Sequence, residues 1–385
     1  MTRSRRVFAC ISASALAVLF SSSVAPVGAA DPASPDPISL GAAASAVAWL
    51  KTQQQPDGGF EVAGFGGFET RDVVLAIAEQ AQTGTTWNAA AARTAVEALK
   101  AGGSGPTPLD YLEDLVAASN DPGVAAKTVV LVSAPLGIDP TAFGSVDLLT
   151  KLGGCNGTAS PTFNGLLYMM IAQQLLCSGA PAASVTAVRN AQQANGGWGF
   201  AGDPTSDDID NDTTALAVEA LVGSGAGASD PAVHAALVFF AENHQASGAW
   251  QFFGEDDPNS TATAMLGITA VGFDVTTPCW RDIVAPALAG TPYTSPDGWL
   301  RSQQLTTGPD AGRVQSPADS FGVNTIPTSQ SVEGLLRSWL PVARGAEPTC
   351  DAPVPAPHVS TTATVTAAAP AEVGGIVATQ PRFTG

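Results

Sequence analysis

Apolar runs of about ten residues recur along the middle of the chain, and each follows a polar or glycine-rich loop. Four runs are clear: DVVLAIAEQ (72–80), TTALAVEALV (213–222), TATAMLGITAV (261–271) and SQSVEGLLRSWL (329–340). Two more degenerate runs lie between the first and the second of these: AAKTVVLVSA (125–134) and FNGLLYMMIAQQLL (163–176). Pro lies between the runs rather than within them, which favours helices. A helix that is apolar nearly all round, as at Leu216, Val218 and Leu221, must be buried on every side.

An amphipathic segment precedes the apolar run of each unit. In the fourth unit the apolar Ala187, Val188 and Ala191 share a segment with the polar Arg189 and Gln192, which predicts a helix with one buried face. Six such pairs, with a period of about 40–50 residues, fit between residues 38 and 345. Six buried helices surrounded by six half-exposed ones predict an all-α fold, an (α/α)6 toroid of six helical-hairpin repeats.

A short motif, Q-x3-G-x-aromatic, lies before several of the apolar runs. It occurs as Gln54, Gly58 and Phe60, and again as Gln192, Gly196 and Trp198. A third copy, at His244, Gly248 and Trp250, has His in place of Gln. A fourth, at Gln304 and Gly308, matches only the first half of the motif. The glycines allow the chain to turn sharply. The motif therefore indicates a structural element that is repeated from unit to unit.

The fourth motif, followed by Asp210-x-Asp212-x-Thr214-Ala215, resembles the prenyltransferase and squalene-cyclase repeats of the terpenoid-cyclase-like α/α toroid superfamily. The resemblance covers most of the repeat region and suggests a secreted bacterial member. It implies a helical barrel in which the Gln amides cap neighbouring helix ends and the Trp rings stack nearby. The alternative for Trp198 and Trp250 is a place at a pocket mouth, in contact with a ligand. Because the superfamily includes terpene cyclases, prenyltransferase subunits, thioester domains and cobalamin carriers, the fold leaves function open.

The two ends of the chain differ from the repeats. Residues 2–6 are basic, residues 7–20 are apolar and residues 27–30 are small, which predicts a secretory signal peptide over residues 1–30. A linker, 31–37, leads to the toroid domain, 38–345, and a Pro/Ala/Thr-rich tail, 346–385, is expected to be disordered. We therefore expect a secreted or cell-wall-associated protein with no transmembrane segment in the mature chain.

The charge balance excludes one class of partner. The chain has 16 Lys and Arg against 34 Asp and Glu, a formal net charge of −18. Such a surface does not neutralise phosphates, so nucleic acid is excluded. The Asp-x-Cys of the prenyltransferase zinc site and the Cys-Gly-Glu-Gln of thioester domains do not occur in the sequence. We expect a monomer whose partner is a small molecule or a cell surface.

Four cysteines remain after the predicted signal peptide: Cys155, Cys177, Cys279 and Cys350. An even count in an exported chain predicts disulfides, with three possible pairings. We favour Cys279–Cys350, because these two flank the last repeat. Cys155 and Cys177 bracket an apolar helix of roughly 20 Å, and their pairing requires the chain to double back.

The acidic stretch from Asp207 to Ala215 has three interpretations. By resemblance to the D-x-D-D-T-A motif of class II terpene cyclases, Asp212 is a general acid accompanied by Asp210, although Thr213 stands where the final Asp belongs. Alternatively, Asp212 or Thr213 caps a helix. A third interpretation is a calcium site, with calcium as the cofactor and Asp208, Asp210, Glu255 and Asp257 as its ligands.

Three functions are compatible with these patterns. The first is a secreted, non-catalytic toroid that binds an apolar or cobalamin-like ligand, or a surface partner, at an acidic barrel mouth through Asp207, Asp208, Trp198 and Trp250. The second is a class II terpene cyclase-like enzyme with Asp212 as its acid. The third is a cell-surface spacer with a filled centre, which the Ala, Val and Leu of the inner helices favour.

Overall fold

The structure, a computed structural model, describes residues 35–62, 66–83, 86–316 and 324–342. The predicted signal peptide, 1–30, and the predicted tail, 346–385, lie outside these residues, as does Cys350. The boundaries proposed for these segments and for the toroid domain therefore stay predictions.

Fourteen α-helices and one short antiparallel strand pair make up the regular structure of the described residues. The helices are α1 (Pro37–Thr52), α2 (Thr70–Gln80), α3 (Ala89–Glu97), α4 (Pro108–Ala118), α5 (Pro122–Thr128), α6 (Leu148–Lys151), α7 (Phe163–Leu176), α8 (Ala182–Asn190), α9 (Asn211–Gly223), α10 (Pro231–Asn243), α11 (Pro258–Val271), α12 (Cys279–Val284), α13 (Pro296–Ser302) and α14 (Ile326–Leu336). A π-helical turn, Val129–Ser133, continues α5. Strands β1 (Trp250–Phe252) and β2 (Glu255–Asp257) pair with Trp250 opposite Asp257. The mainly helical structure confirms the all-α part of the predicted fold.

The apolar runs form a buried inner layer, made of α2, α5 with its π-turn, α7, α9, α11 and α14. Each of these helices contacts the next in chain order, and α14 contacts α2, so the circuit of contacts closes. Small residues allow two of these pairs to approach closely. A methyl group added to Gly267 of α11 would lie 2.9 Å from the Cα of Ala215 on α9, and one added to Gly334 of α14 would lie 2.9 Å from the Cα of Ala262 on α11.

The repeated motif joins each outer segment to the following inner helix. Gln192 Nε2 donates to the backbone oxygens of Gly196 (2.7 Å) and Ala232 (2.8 Å). The backbone N–H of Trp198 donates to Thr214 Oγ1 at 2.9 Å. Three other units repeat this second bond, from Phe60 to Thr70, from Trp250 to Thr261 and from Val314 to Thr328. The motif is therefore a set of hydrogen bonds that fixes how each loop enters an inner helix.

In the last unit the glycine of the motif is Gly312, and the predicted Gly308 is wrong. Gln304 Nε2 donates to the backbone oxygen of Gly312, not Gly308, and to that of Ala42. Gly312 has φ +101°, and a methyl group there would lie 2.2 Å from the backbone oxygen of Ser45. The loop before Gly312 is longer than the corresponding loop in the other units. The spacing of the motif therefore does not identify Gly312 in the sequence.

The disulfide between Cys155 and Cys177, with an S–S distance of 2.01 Å, corrects the sequence-based preference against this pair. The chain does double back: Gln173 Nε2 of α7 donates to the backbone oxygens of Gly154 and Gly157, which holds the preceding loop beside the helix. Cys279 is also disulfide-bonded. Because Cys350 lies outside the described residues, the pairing of Cys279 with Cys350 stays a prediction.

None of the helices in the described ranges is both long and apolar enough to cross a membrane.

Candidate functional site

The first turn of α9 separates two cavities. The outer cavity, of about 350 Å³, lies between the loop before α9 and the β1–β2 hairpin, and Asp210 and Asn211 contribute to its wall. The inner cavity, of about 80 Å³, lies within the inner layer, and Asp212 contributes to its wall. Neighbouring residues of one acidic motif thus face different compartments.

Asp210 is the residue that caps α9. Its Oδ1 accepts from the Thr213 backbone N–H, and its Oδ2 accepts from Thr213 Oγ1, both at 2.9 Å. A carboxylate at this position satisfies a free N–H of the first turn and suits the positive end of the helix dipole. The capping interpretation of the motif is therefore right about the chemistry but wrong about the residue, which is neither Asp212 nor Thr213.

Asp212 is buried, with 8% of its surface exposed, and lines the inner cavity. Thr263 Oγ1 of α11 donates to its Oδ1 at 2.5 Å, and Ser260 Oγ donates to its Oδ2 at 3.4 Å. Hydroxyl donors stabilise the carboxylate that remains when an acid gives up its proton. The next inner helix therefore supplies partners for Asp212 in place of the Asp that Thr213 replaces.

Three further acidic side chains line the inner cavity: Asp72, Glu219 and Glu333. Asp72 forms an ion pair with Lys127 at 3.0 Å, and both side chains are almost fully buried. Burial raises the pKa of Glu219 to about 8. Burial also raises the pKa of Glu333 well above its ordinary value, and repulsion from Asp72, Glu79 and Glu219 adds to the rise. Most of Glu219 is therefore protonated, as a neutral carboxylic acid, at pH 7.

Sequence analysis missed these three acids as site residues. Their signal was present, because Glu219 and Glu333 each interrupt an otherwise apolar run and Asp72 begins one. A carboxyl group in a helix that is buried on all sides costs free energy unless it has a partner or stays neutral. Such positions are candidates for a site inside the layer of helices.

The segment after α14 covers the inner cavity. Trp339, Leu340 and Pro341 line it, following Arg337, which has a left-handed φ of +46°. The Trp339 backbone N–H donates to Glu79 Oε1 at 2.8 Å, and its ring N–H donates to the Val130 oxygen at 3.3 Å. We call residues 337–342 the C-terminal strap.

A scan against models of protein families gave no match, and neither did a search of curated proteins. Among solved structures, a variant of the type II terpene cyclase MstE from Scytonema matches with a TM-score of 0.52 and 15% identity, over 78% of this chain and 97% of that one. The apo enzyme matches with a TM-score of 0.49 and 14% identity, over 78% of this chain and 98% of that one. A variant in complex with geranylgeranyl dihydroxybenzoate, the substrate of that enzyme, matches with a TM-score of 0.49 and 14% identity, over 78% of this chain and 97% of that one.

This chain has a terpenoid-cyclase-like fold. At these identities the likeness shows the fold alone. The expected resemblance is confirmed for the fold.

Within this terpenoid-cyclase-like fold, the two tryptophans assigned to a ligand lie elsewhere. Trp198 and Trp250 have no exposed surface, and neither lines the outer or the inner cavity. Their ring N–H groups donate to the backbone oxygens of Val188 (2.7 Å) and Phe240 (2.9 Å). They are packing residues, as the structural interpretation of the motif implies. Asp207 and Asp208, by contrast, do line the outer cavity.

The expected calcium site is not formed by the described residues, where no group of three or more His, Cys, Asp or Glu is arranged to hold a metal ion. Asp210 caps α9, and Asp257 caps α11 through the N–H groups of Asn259 and Ser260. Burial raises the pKa of Asp257 to about 6. Glu255 is exposed in the hairpin. Two of the four proposed ligands are therefore used in helix capping.

Proposed function

We propose that this chain catalyses a cyclisation or isomerisation that begins with protonation of an apolar alkene, with Asp212 as the general acid. The proposal rests on one observation: Asp212 lines the inner cavity, and its carboxyl accepts hydrogen bonds from Thr263 and Ser260. That the similar solved structures are of a type II terpene cyclase supports a cyclase over the non-catalytic carrier favoured by the sequence. The proposal also takes the inner and outer helices as six units of one toroid, and it keeps export as an expectation.

The proposed step moves one proton. The Asp212 O–H gives its proton to one carbon of a C=C bond, whose π electrons form the new C–H bond and leave a cation on the other carbon. A second alkene attacks that cation to close a ring, the final cation loses a proton to water to give a neutral cyclic product, and the Asp212 carboxylate regains a proton from solvent. The Thr263 and Ser260 hydroxyls stabilise the Asp212 carboxylate after the transfer. The rings of Tyr168 and Trp339 in the cavity wall suit the cation.

The size of the inner cavity sets a condition on this proposal. At about 80 Å³ it is smaller than the ~150 Å³ engineered cavity that accepts benzene. We therefore propose that Trp339, Leu340 and Pro341 of the C-terminal strap, which line the cavity, move aside to make room for a prenyl chain. The proposal thus includes opening of the strap as a step before the chemistry.

A product assay in deuterium oxide tests the proposal. The purified chain is incubated with linear prenyl alcohols and prenylated aromatic acids, and products are identified by mass spectrometry. We expect a cyclic product that carries one deuterium at the protonated carbon, and none from Asp212→Asn. Asp207→Asn, which changes the outer cavity, is the matched control and keeps the wild-type yield. No product from the wild type, or an equal yield from Asp212→Asn, would refute the proposal.

A second candidate function, a structural surface module, is favoured by the small volume of the inner cavity and the buried Lys127–Asp72 pair within its surroundings. The same compounds separate the two candidates in a thermal melt. A rise in Tm with ligand concentration supports the enzyme. A Tm that no compound changes, together with no product, supports the structural module.

A further inference from the structure

The outer cavity is separate from the proposed reaction site. The loop before α9 forms one side of it, and the turn of the β1–β2 hairpin forms another. Its volume of about 350 Å³ lies in the range of small-molecule sites. Asp212 does not line it, so a ligand held there is not a ligand of the inner cavity.

Aromatic and aliphatic side chains give the outer cavity an apolar surface. Phe200, Ile209, Phe252 and Phe253 line it. Four large hydrophobic side chains are exposed among the described residues, and two of them, Ile209 and Phe253, are in this group. Exposed apolar surface that gathers in a concave site is typical of ligand binding.

Phe253 also has a strained backbone. Its φ is +50°, in the left-handed region that favours Gly or Asn, and it precedes Gly254 at +87° in the hairpin turn. Its side chain is 72% exposed, and its ring contacts the ring of Phe252, with the centroids 4.4 Å apart. A Phe at a position where Gly would fit better costs stability, and such costs concentrate at functional sites.

The polar groups of the outer cavity are mainly acceptors. Asp207 and Asp208 line it, and none of its described lining residues is Lys or Arg. Asn211 is 1% exposed, its Nδ2 donates to the Gln251 backbone oxygen at 2.9 Å, and its Oδ1 is buried with no hydrogen-bond partner. A buried acceptor without a donor points to a missing donor. The cavity therefore suits a ligand that brings N–H groups and positive charge.

We propose that the outer cavity binds a small organic ammonium ion with an apolar body. The ammonium group is attracted by the carboxylates of Asp207 and Asp208 and donates to Asn211 Oδ1. The apolar body lies against Phe200 and Phe253. An ammonium group near aromatic faces gains further from the ring quadrupole.

Calorimetric titration of the full chain tests this with three probes of similar shape: phenethylammonium, its neutral alcohol analogue and phenylpropionate. We expect the ammonium to bind, the alcohol to bind roughly tenfold more weakly, and the carboxylate not to bind. Equal binding of all three, or no binding of the ammonium, would overturn the proposal.

Variants separate the site from general charge effects. The double change Asp207→Asn with Asp208→Asn should weaken ammonium binding by roughly tenfold or more. The control, Asp203→Asn, removes an exposed carboxylate that hydrogen-bonds Thr205 outside the cavity, and it should leave the affinity unchanged. An equal loss in both would overturn the site.

Phe253→Gly gives a result that a structural role does not predict. Because it relieves the positive φ, it should raise the Tm while it weakens ammonium binding. Unchanged affinity would remove Phe253 from the site. Asp212→Asn should leave ammonium binding unaffected, so failure of the proposed enzyme activity and failure of this proposal are distinguishable.

Discussion

Glu219 lies in a helix that is buried on nearly every side, and its carboxyl faces the inner cavity. Burial raises its pKa from an ordinary value near 4.5 to about 8. Between these values the folded chain keeps a proton that the unfolded chain has lost. The contribution of Glu219 to stability is therefore full below pH 4.5 and falls as the pH rises towards 8.

Replacing this carboxyl group tests the direction of this pH dependence. In Glu219→Gln, the fall in the free energy of unfolding between pH 5 and pH 7.5 should be shallower by about 1.4 kcal/mol per pH unit, which corresponds to one proton. Urea denaturation at several pH values measures the slope. The variant should keep some pH dependence, because Glu79 and Glu333 also have raised pKa values and remain in place. Equal slopes in the two proteins would show that Glu219 is ionised in the folded state.

The buried ion pair of Lys127 and Asp72 gives a second prediction at the residue scale. Both side chains are nearly inaccessible, and Gln330 Nε2 also donates to Asp72 Oδ1 at 3.1 Å. Lys127→Met leaves a buried carboxylate without its cation, so the free energy of unfolding should fall by about 3–5 kcal/mol. Adding Asp72→Asn should recover most of that loss, as measured by urea denaturation. Additive losses in the double variant would contradict the pairing.

Among the helices, close approach depends on glycine where α11 meets α9. In Gly267→Ala the new methyl group meets the Ala215 backbone, and the free energy of unfolding should fall by about 1–3 kcal/mol. The matched control is Gly41→Ala in α1, where the methyl group meets nothing within 4 Å. There the substitution should raise the free energy of unfolding by as much as about 1 kcal/mol, because Ala has a higher helix propensity than Gly. A loss of similar size at both positions would mean that propensity, not packing, governs Gly267.

Much of this layering was predictable from the sequence, for physical reasons. The runs at 213–222 and 261–271 are apolar on all sides, and the corresponding helices α9 and α11 are buried along nearly their whole length. Local patterns failed where loop length varies, as between Gln304 and Gly312, since no short motif encodes the longer loop. They also failed for Cys155 and Cys177, because the return of the chain beside α7 depends on tertiary hydrogen bonds.

The candidate site was predictable only in part. Asp212, Asp207 and Asp208 were identified because an acidic motif begins an apolar run. Ser260 and Thr263 were not, because they lie about 50 residues further along the chain and reach Asp212 only when α11 packs on α9. The division between the two cavities depends on the direction in which each side chain leaves the first turn of α9, which spacing alone does not specify.

For the whole molecule, the Cys155–Cys177 disulfide restricts the unfolded chain by closing a loop over a separation of 22 residues. The double variant Cys155→Ser with Cys177→Ser should therefore lose roughly 3 kcal/mol of stability. Thermal denaturation under oxidising conditions compares it with the wild type. A Tm equal to that of the oxidised wild type would show that the bond adds no net stability.

Closure of the inner layer also bears on the order of folding. Gln330 meets Asp72 across 258 positions, and Trp339 meets Glu79 across 260. During synthesis from the amino terminus, α2 has one apolar flank uncovered until nearly the whole chain has been made. Contacts so distant along the chain form slowly, and partly folded forms with uncovered apolar surface tend to aggregate. Docking of α14 is thus the step that ends this exposure, and its speed relative to self-association decides the yield of native protein.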